Sequence, residues 1–111
     1  MRPDGTEARQ ITDFGAMSWA PYIHPSGAYL LFASNKLGFE NFEVFMVDIE
    51  GTKEPIRVTY SDGFDGLPVP SPDGSRLAWT SSRGGGREGQ LYLADWNHDR
   101  ALAALRAAPN R

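Results

Sequence analysis

The sequence repeats itself at an interval of about 47 residues, which is a spacing typical of repeat architectures. The stretch LPVPSPDGSRLAWTS at residues 67–81 has a weaker copy, APYIHPSGAYLLFAS, at residues 20–34. The match extends beyond both stretches without a gap, so two related structural units are predicted. The aligned identities include Thr12 with Thr59, Pro21 with Pro68, Pro25 with Pro72, Gly27 with Gly74, Leu30 with Leu77, Ser34 with Ser81, Gly38 with Gly85, and Asp48 with Asp95.

Each copy contains a tight turn followed by a strand pattern. In the SPDG turn at residues 71–74, Pro72 presets φ, Asp73 can bond the backbone two residues further on, and Gly74 accepts a positive φ. Residues 76–81 then alternate between two unlike faces, which is the period of a β-strand. The first copy repeats this arrangement with HPSG at residues 24–27.

Composition limits the classes of partner. The 111 residues suit one small domain, and 41% hydrophobic and 12% aromatic content suffices for a core. The net charge of -3 is small and both signs are interspersed, so we expect no nucleic-acid partner. No apolar run approaches the roughly 18 residues of a membrane span, so we expect no membrane insertion. Cysteine is absent, which excludes disulfides and thiolate metal sites.

The alternation and turn signals predict short strands along most of the chain, and a helix only at its end. Residues 99–108 are rich in strong helix formers, Asn97 or Asp99 is placed to cap them, and Pro109 stops them. The helix falls where the second unit should have its fourth strand, while an extra copy of that strand stands at residues 7–12. The predicted strands are residues 7–12, 19–23, 28–34, 42–48, 55–59, 67–69, 75–81 and 90–95.

Four antiparallel strands recurring every 40 to 50 residues are typical of β-propeller blades, so the predicted class is all-β: two blades with a short C-terminal helix. Because propellers need roughly four to eight blades, one chain cannot close a ring. We therefore expect a head-to-tail homo-oligomer, with three chains giving six blades. The predicted divisions are a lead-in (1–6), a closing strand plus first blade (7–59), a second blade without its fourth strand (60–98), and a helix with tail (99–111).

Two segments, SWAPYIHPSGAYLLF at residues 18–32 and FDGLPVPSPDGSRLAWTSSR at residues 64–83, resemble the Pro-Asp-Gly-bearing blades of TolB-like β-propellers. The resemblance covers about residues 10–98, and the pair is similar to the last two blades of such propellers. It departs from the family pattern at His24 and Ser26, where the second copy has Ser71 and Asp73. The resemblance implies a propeller that binds a protein or small ligand, periplasmic or attached to an exported hydrolase. It carries over no catalytic residue.

Two sequence patterns resemble ligand sites, but structural roles are predicted for both. Residues 84–89 satisfy G-x-G-x-x-G, but a dinucleotide site requires that loop to open a helix, and a strand follows here, so a hairpin loop is predicted. Asp62, Asp65 and Asp73 offer oxygen ligands for calcium, but their spacing does not fit an EF-hand. We expect Asp65 to bond backbone amides of the turn instead, and we predict neither metal nor cofactor.

His24 and His98 are the only histidines, and neither is accompanied by a nucleophile motif such as G-x-S-x-G. The prediction is therefore a non-enzymatic unit that binds a protein or small ligand on its loop face or central channel. The alternative is a fragment or accessory propeller part of a larger exported hydrolase. The residues predicted to line the binding face are Lys36, Arg83, His24, Asp65 and Trp19.

Overall fold

The computed structural model describes residues 5, 6, 8, 10–12, 15–38, 41–61, 63–84 and 89–110, and contains seven strands and one helix in this part of the chain. The strands form two antiparallel sheets, a first with order β1-β2-β3-β4 and a second with order β5-β6-β7. The elements are β1 (Ser18–Ile23), β2 (Tyr29–Ser34), β3 (Glu43–Asp48), β4 (Ile56–Arg57), β5 (Asp65–Pro70), β6 (Arg76–Ser81), β7 (Gln90–Asp95) and α1 (His98–Ala107).

The duplication in the sequence is also a duplication of strand register. In the first sheet Trp19 pairs with Ala33, and in the second Gly66 pairs with Thr80, 47 residues further along on both strands. Each pair between β2 and β3 likewise has its counterpart between β6 and β7 at the same interval. Side-chain period and register therefore place equivalent positions on equivalent faces of the two sheets.

The irregular backbone is repeated as well. The register shifts inside β1 and β5 each contain one residue with φ in the left-handed region, Ala20 at 50° and Leu67 at 52°. An L-residue adopts this conformation only at a cost, so its recurrence marks a bulge common to both units. In the turns that follow, Gly27 and Gly74 both have φ of 75°. The amide of Asp73's second neighbour, Ser75, donates to the Asp73 carboxylate at 3.0 Å, which confirms the predicted turn bond.

The main hydrophobic core lies between the two sheets and under the helix. The first sheet contributes Tyr29 and Leu31 from β2 with Val44 and Met46 from β3. The second sheet contributes Leu77 and Trp79 from β6, and α1 contributes Ala101 and Leu105. We call the faces that meet here the inner faces. The first sheet therefore contributes one face of the repeated unit to this core, and the second sheet contributes the opposite face.

A smaller cluster covers the other side of the first sheet. Phe32, Phe45 and Val47 are buried there, and Ile11 packs against them. Ile11 is the repeat equivalent of Val58, which packs against the main core just after β4. In the described part of residues 7–12, namely 8 and 10–12, no strand forms within the single chain. Pairing of this segment with a second chain stays a prediction.

The helix begins and ends one residue before the predicted bounds. Asn97 is the N-cap, because its side-chain oxygen accepts a bond from the amide of Arg100 at 3.0 Å. At the other end, the amide of Glu54 donates to the carbonyl of Pro109 at 2.8 Å, and Lys53 is bridged to Asn110. The helix therefore follows the second sheet but is tied to the first.

The coarse prediction is confirmed: the chain is mostly β, with antiparallel sheets of four and three strands and a C-terminal helix. The strand predicted at residues 90–95 is reproduced without change. β4 is shorter than predicted, with two residues where five were predicted. Val58 and Thr59 leave the strand because the side chain of Thr59 accepts the amide of Val44 at 2.9 Å in place of a regular ladder bond.

Candidate functional site

The face of the second sheet that points away from the core is apolar and uncovered. Leu91 is 83% exposed and Leu93 is 62% exposed, and Ala78 and Val69 lie beside Leu93 in the strand register. The equivalents of the two leucines on the first sheet are Val44 and Met46, at 0% and 5%. We call this the trailing face. Its strand β7 is also an edge strand, whereas the equivalent β3 pairs with β4.

We call the face of the first sheet that points away from the core the leading face. It shows the complementary difference along β1, whereas Phe32, Phe45 and Val47 on β2 and β3 are already buried. Ile23 is 55% exposed and Pro21 is exposed, whereas their equivalents Pro70 and Pro68 are buried in the second sheet. Pro68 and Pro70 are covered because the second sheet has a neighbouring sheet on that side. A cavity of about 290 Å³ lies at the leading face, lined by Ile11, Thr12, Ser18, Pro21, Leu30 and Phe32.

Where the two sheets meet, a parallel bridge joins Phe42 to Phe64. The amide of Asp65 donates to the carbonyl of Phe42 at 2.8 Å, so the next residues, Glu43 and Asp65, lie side by side. Both side chains are fully buried. Burial raises the pKa of Glu43, and the hydrogen bond from Arg57 opposes that shift.

Arg83 lies over the aromatic residues next to this junction. Its Nη2 donates to Oδ1 of Asp65 at 3.1 Å, and its guanidinium carbon is 5.0 Å from the ring centroid of Trp79. The indole of Trp79 also donates to Oδ1 of Asp65, at 3.0 Å. The prediction that Asp65 bonds turn amides is therefore wrong, since its described side-chain bonds run to Trp79 and Arg83. The strand pairing of β5 with β6 turns the carboxylate toward β6.

A stack of aromatic rings ties the helix to the first sheet. The rings of His24 and His98 are parallel to within 2° with centroids 4.7 Å apart. Trp96 donates through Nε1 to the hydroxyl of Tyr29 at 2.7 Å, and that hydroxyl lies 2.9 Å from Nδ1 of His98. Burial is the main cause that lowers the pKa of His24. These ring contacts and hydrogen bonds connect Tyr29 of β2 and His24 in the turn before β2 to His98 of α1.

The five residues predicted to line a binding face fall into three places. Lys36 and Arg83 occupy equivalent exposed loop positions, and their amides donate to Ser34 and Ser81 at 3.2 and 3.1 Å. Trp19 is half exposed on β1 and stacks on Phe42 with centroids 4.8 Å apart. His24 and Asp65 are buried. Their roles in binding stay predictions, but the structure does not bring all five to one surface.

Two motifs remain, the glycine-rich segment and the aspartates considered as metal ligands. The glycine-rich segment connects β6 to β7, two antiparallel neighbours, so the predicted hairpin connection is confirmed, although residues 85–88 lie outside the described part. Asp62 also lies outside it. Among the residues that the structure describes, no three His, Cys, Asp or Glu side chains are grouped to hold a metal ion. No helix in that part is long and apolar enough to cross a membrane.

A second cavity, of about 410 Å³, lies along the junction between the sheets. Its lining includes Val58, Thr59, Leu77 and Trp79. Four of the residues at the leading-face cavity, Ile11, Thr12, Leu30 and Phe32, are the repeat equivalents of these four. The two cavities therefore correspond, one at a junction between two sheets and the other at a face with no neighbouring sheet.

Sequence reasoning missed Glu43, Arg57 and Tyr29. One signal for Glu43 was available, because it shares a strand face with Phe45 and Val47, and a charge on an apolar face requires a partner. Nothing in the sequence indicates that its neighbour is Asp65, since the bridge that joins them is long-range. No protein-family model matches the chain, and no curated protein is significantly similar to it.

Proposed function

We propose that this chain is a non-enzymatic building unit of a closed β-propeller, completed by head-to-tail association of identical chains. Each sheet serves as a blade, and the trailing face of one chain packs on the leading face of the next. Three chains would supply six blades, which lies within the range of known propellers. The ring would then bind a protein or small ligand on its loop face or central channel.

The observation that carries this proposal is the exposure of Leu91 and Leu93 at positions whose equivalents, Val44 and Met46, form the core. Within one chain, the first sheet already packs on the second, and this packing supplies the geometry for the proposed contact between chains. Repeating that contact between chains would cover the trailing face with the leading face of a neighbour. An interface of this kind is heterologous, and it closes into a ring when the rotation per step allows.

Loops repeat around such a ring together with the sheets. Lys36 and Arg83 are equivalent positions, so three chains would present six basic side chains around one face. The Arg83 guanidinium is partly committed to Asp65. The ligand class suggested by a basic ring is a protein or small molecule with negative charge. The resemblance to TolB-like propellers supports a binding role and a periplasmic or exported location.

The geometry can be tested with two complementary variants. Leu91→Asp places a charge on the trailing face, and Ile23→Asp places one on the leading face. Both positions are exposed, so neither variant should prevent folding. Each variant alone retains one intact face, and we expect each to sediment as a monomer. A mixture has one compatible pair of faces, so we expect a heterodimer that does not grow further.

A face-to-face dimer, in which like faces meet, would behave differently. The Leu91→Asp variant would then be monomeric while Ile23→Asp associated normally, or the reverse, and mixing would produce no new species. Either result would contradict the head-to-tail proposal. A surface control is Leu37→Asp, because Leu37 is about half exposed in the loop between β2 and β3 and lies on neither face.

A second candidate is that the chain is a section of a longer propeller, such as an accessory part of an exported hydrolase. The same exposed faces favour it, because blades of the same polypeptide would cover them equally well. The two candidates differ in what the isolated chain does. A section of a longer propeller would stay monomeric at high concentration and bind an added neighbouring section, whereas the building unit associates with itself.

A further inference from the structure

The contact between Glu43 and Asp65 is unusual because two acidic side chains meet in a fully buried place. Each carboxyl group follows one partner of the Phe42–Phe64 bridge, and the two side chains are within hydrogen-bonding reach of each other. Two ionised carboxylates at this separation in a dry environment repel strongly. Each carboxyl is paired with an arginine, and a proton shared between the two carboxyls removes the repulsion that remains.

The oxygens of Glu43 are already supplied with donors. Oε2 accepts from Nε of Arg57 at 3.0 Å and from the amide of Ser61 at 3.1 Å, and Nη2 of Arg57 also contacts it. Oε1 accepts from the hydroxyl of Thr59 at 3.1 Å. These donors favour the ionised form of Glu43, but burial outweighs them, so the pKa of Glu43 is raised overall.

Only one of the two carboxylate oxygens of Asp65 accepts hydrogen bonds from donors in the described structure. Oδ1 accepts from Trp79 and Arg83, at 3.0 and 3.1 Å. Oδ2 is buried and has no hydrogen-bond partner in the described structure when both carboxyls are taken as acceptors. An unpaired buried oxygen costs on the order of 1–3 kcal/mol, and more when it is charged. A proton shared with the neighbouring carboxyl of Glu43 removes that cost by giving Oδ2 a hydrogen-bond partner.

We propose that Glu43 and Asp65 share one proton, which joins Oδ2 of Asp65 to the carboxyl group of Glu43. The bond formed is O–H···O⁻ between one sheet and the other. It leaves one negative charge between two arginines, Arg57 from β4 and Arg83 from the loop after β6. These two are the described charged side chains that contact the pair. The proton thereby becomes a structural part of the junction between the sheets.

The direction of the pH dependence follows from the raised pKa of Glu43, for which burial is the main cause and the hydrogen bond with the Asp65 side chain a further one. A carboxyl whose folded pKa is raised stabilises the fold fully below its unfolded value. That contribution is lost as the pH rises through the folded value. The junction should therefore loosen in alkaline solution, where both carboxyls ionise.

Asp65→Asn is the sharpest test, because the amide of asparagine can donate a hydrogen bond to Glu43 without a shared proton. Its carbonyl oxygen can keep the bonds from Trp79 and Arg83, and its amide nitrogen stands where Oδ2 lacks a partner. We expect the urea midpoint of this variant to match wild type at pH 7 and to exceed it at pH 9. A midpoint lower than wild type at both pH values would overturn the proposal.

Infrared spectroscopy detects the proton without relying on a variant. Wild type at pH 7 should show the carbonyl stretch of a protonated carboxyl, which disappears in alkaline solution and is absent from Asp65→Asn. Asp73→Asn is the matched control, because three hydrogen bonds hold the pKa of Asp73 at about 2 and this carboxyl is ionised at pH 7. The control should leave the band unchanged. Absence of the band in wild type would overturn the proposal.

Discussion

Val44 and Leu91 occupy the same position in the two sheets, yet Val44 is fully buried and Leu91 is 83% exposed. The difference arises because the first sheet has a neighbouring sheet on its inner face and the second sheet has none on its trailing face. The same apolar surface is buried in the first sheet and exposed in the second. This is the pattern expected at the open end of a stack of repeated units.

Truncation of equivalent side chains should separate the two environments. Met46→Ala removes a buried side chain and should lower the free energy of unfolding by about 2–5 kcal/mol. Leu93→Ala, at the equivalent exposed position, should change the stability of the isolated chain by less than about 0.5 kcal/mol. Urea denaturation at low protein concentration measures both. At high concentration we expect Leu93→Ala, but not wild type, to fail to associate. Equal losses of stability in the isolated chain would contradict the assignment of faces.

The two turn glycines provide a matched pair for backbone and packing effects. Gly27 and Gly74 both have φ of 75°, so alanine at either position should cost roughly 1–2 kcal/mol in backbone strain. A Cβ at Gly27 would meet nothing within 4 Å, whereas a Cβ at Gly74 would lie 2.8 Å from the ring of His24. Gly74→Ala should therefore be the more destabilising. Identical thermal midpoints for the two variants would show that His24 does not pack there.

Acidification should weaken the docking of the helix through His24. Its Nε2 lies 3.2 Å from the carbonyl of Gly74, so it carries the hydrogen, and Nδ1 accepts the amide of Ser26 at 3.2 Å. Because its pKa is lowered from 6.5 in the folded state, the unfolded chain binds the proton more readily. Stability should therefore fall as the pH drops below about 6.5.

Urea midpoints between pH 8 and pH 5.5 check this dependence. His24→Gln removes the titrating group and should show a smaller loss over the same range. The opposite sign, with wild type becoming more stable toward pH 5.5 than His24→Gln, would contradict the buried neutral imidazole. His98 stacks on His24 and also lowers its pKa electrostatically, so measurements at two salt concentrations separate this screened contribution from the effect of burial.

The helix cap should matter for the contact between α1 and the first sheet. Asn97→Ala removes the oxygen that accepts the amide of Arg100, and we expect a loss of about 1 kcal/mol. Asn97→Ser keeps a capping oxygen and should retain most of the stability. Far-ultraviolet circular dichroism and urea denaturation measure helix content and stability. An unchanged Asn97→Ala variant would show that the cap contributes nothing.

Much of the fold was predictable because its signals are local. The turn at Pro72–Asp73–Gly74, the alternation in β6 and the cap at Asn97 each depend on a few neighbouring residues. The repeat then gave the register of the second sheet from that of the first. The error at β4 arises because local patterns do not show contacts between distant residues. There the Thr59 hydroxyl accepts the amide of Val44 in place of a ladder bond.

The polar contacts were not predictable, because they join residues that are far apart in sequence. Glu43 meets Asp65 only through the bridge between Phe42 and Phe64, and His24 meets His98 only because the helix returns to the first sheet. The residue types at these positions do not indicate which residue each of them contacts. Pattern reasoning therefore identified the strands, turns and helix better than the contacts between them.

Association of the wild-type chain with itself is the central claim, and its mass in solution tests it most directly. Sedimentation equilibrium over a range of concentrations should show a closed species of three chains, each of 12.2 kDa, with no larger species beyond it. A folded chain that remains at 12.2 kDa at every concentration would contradict the account.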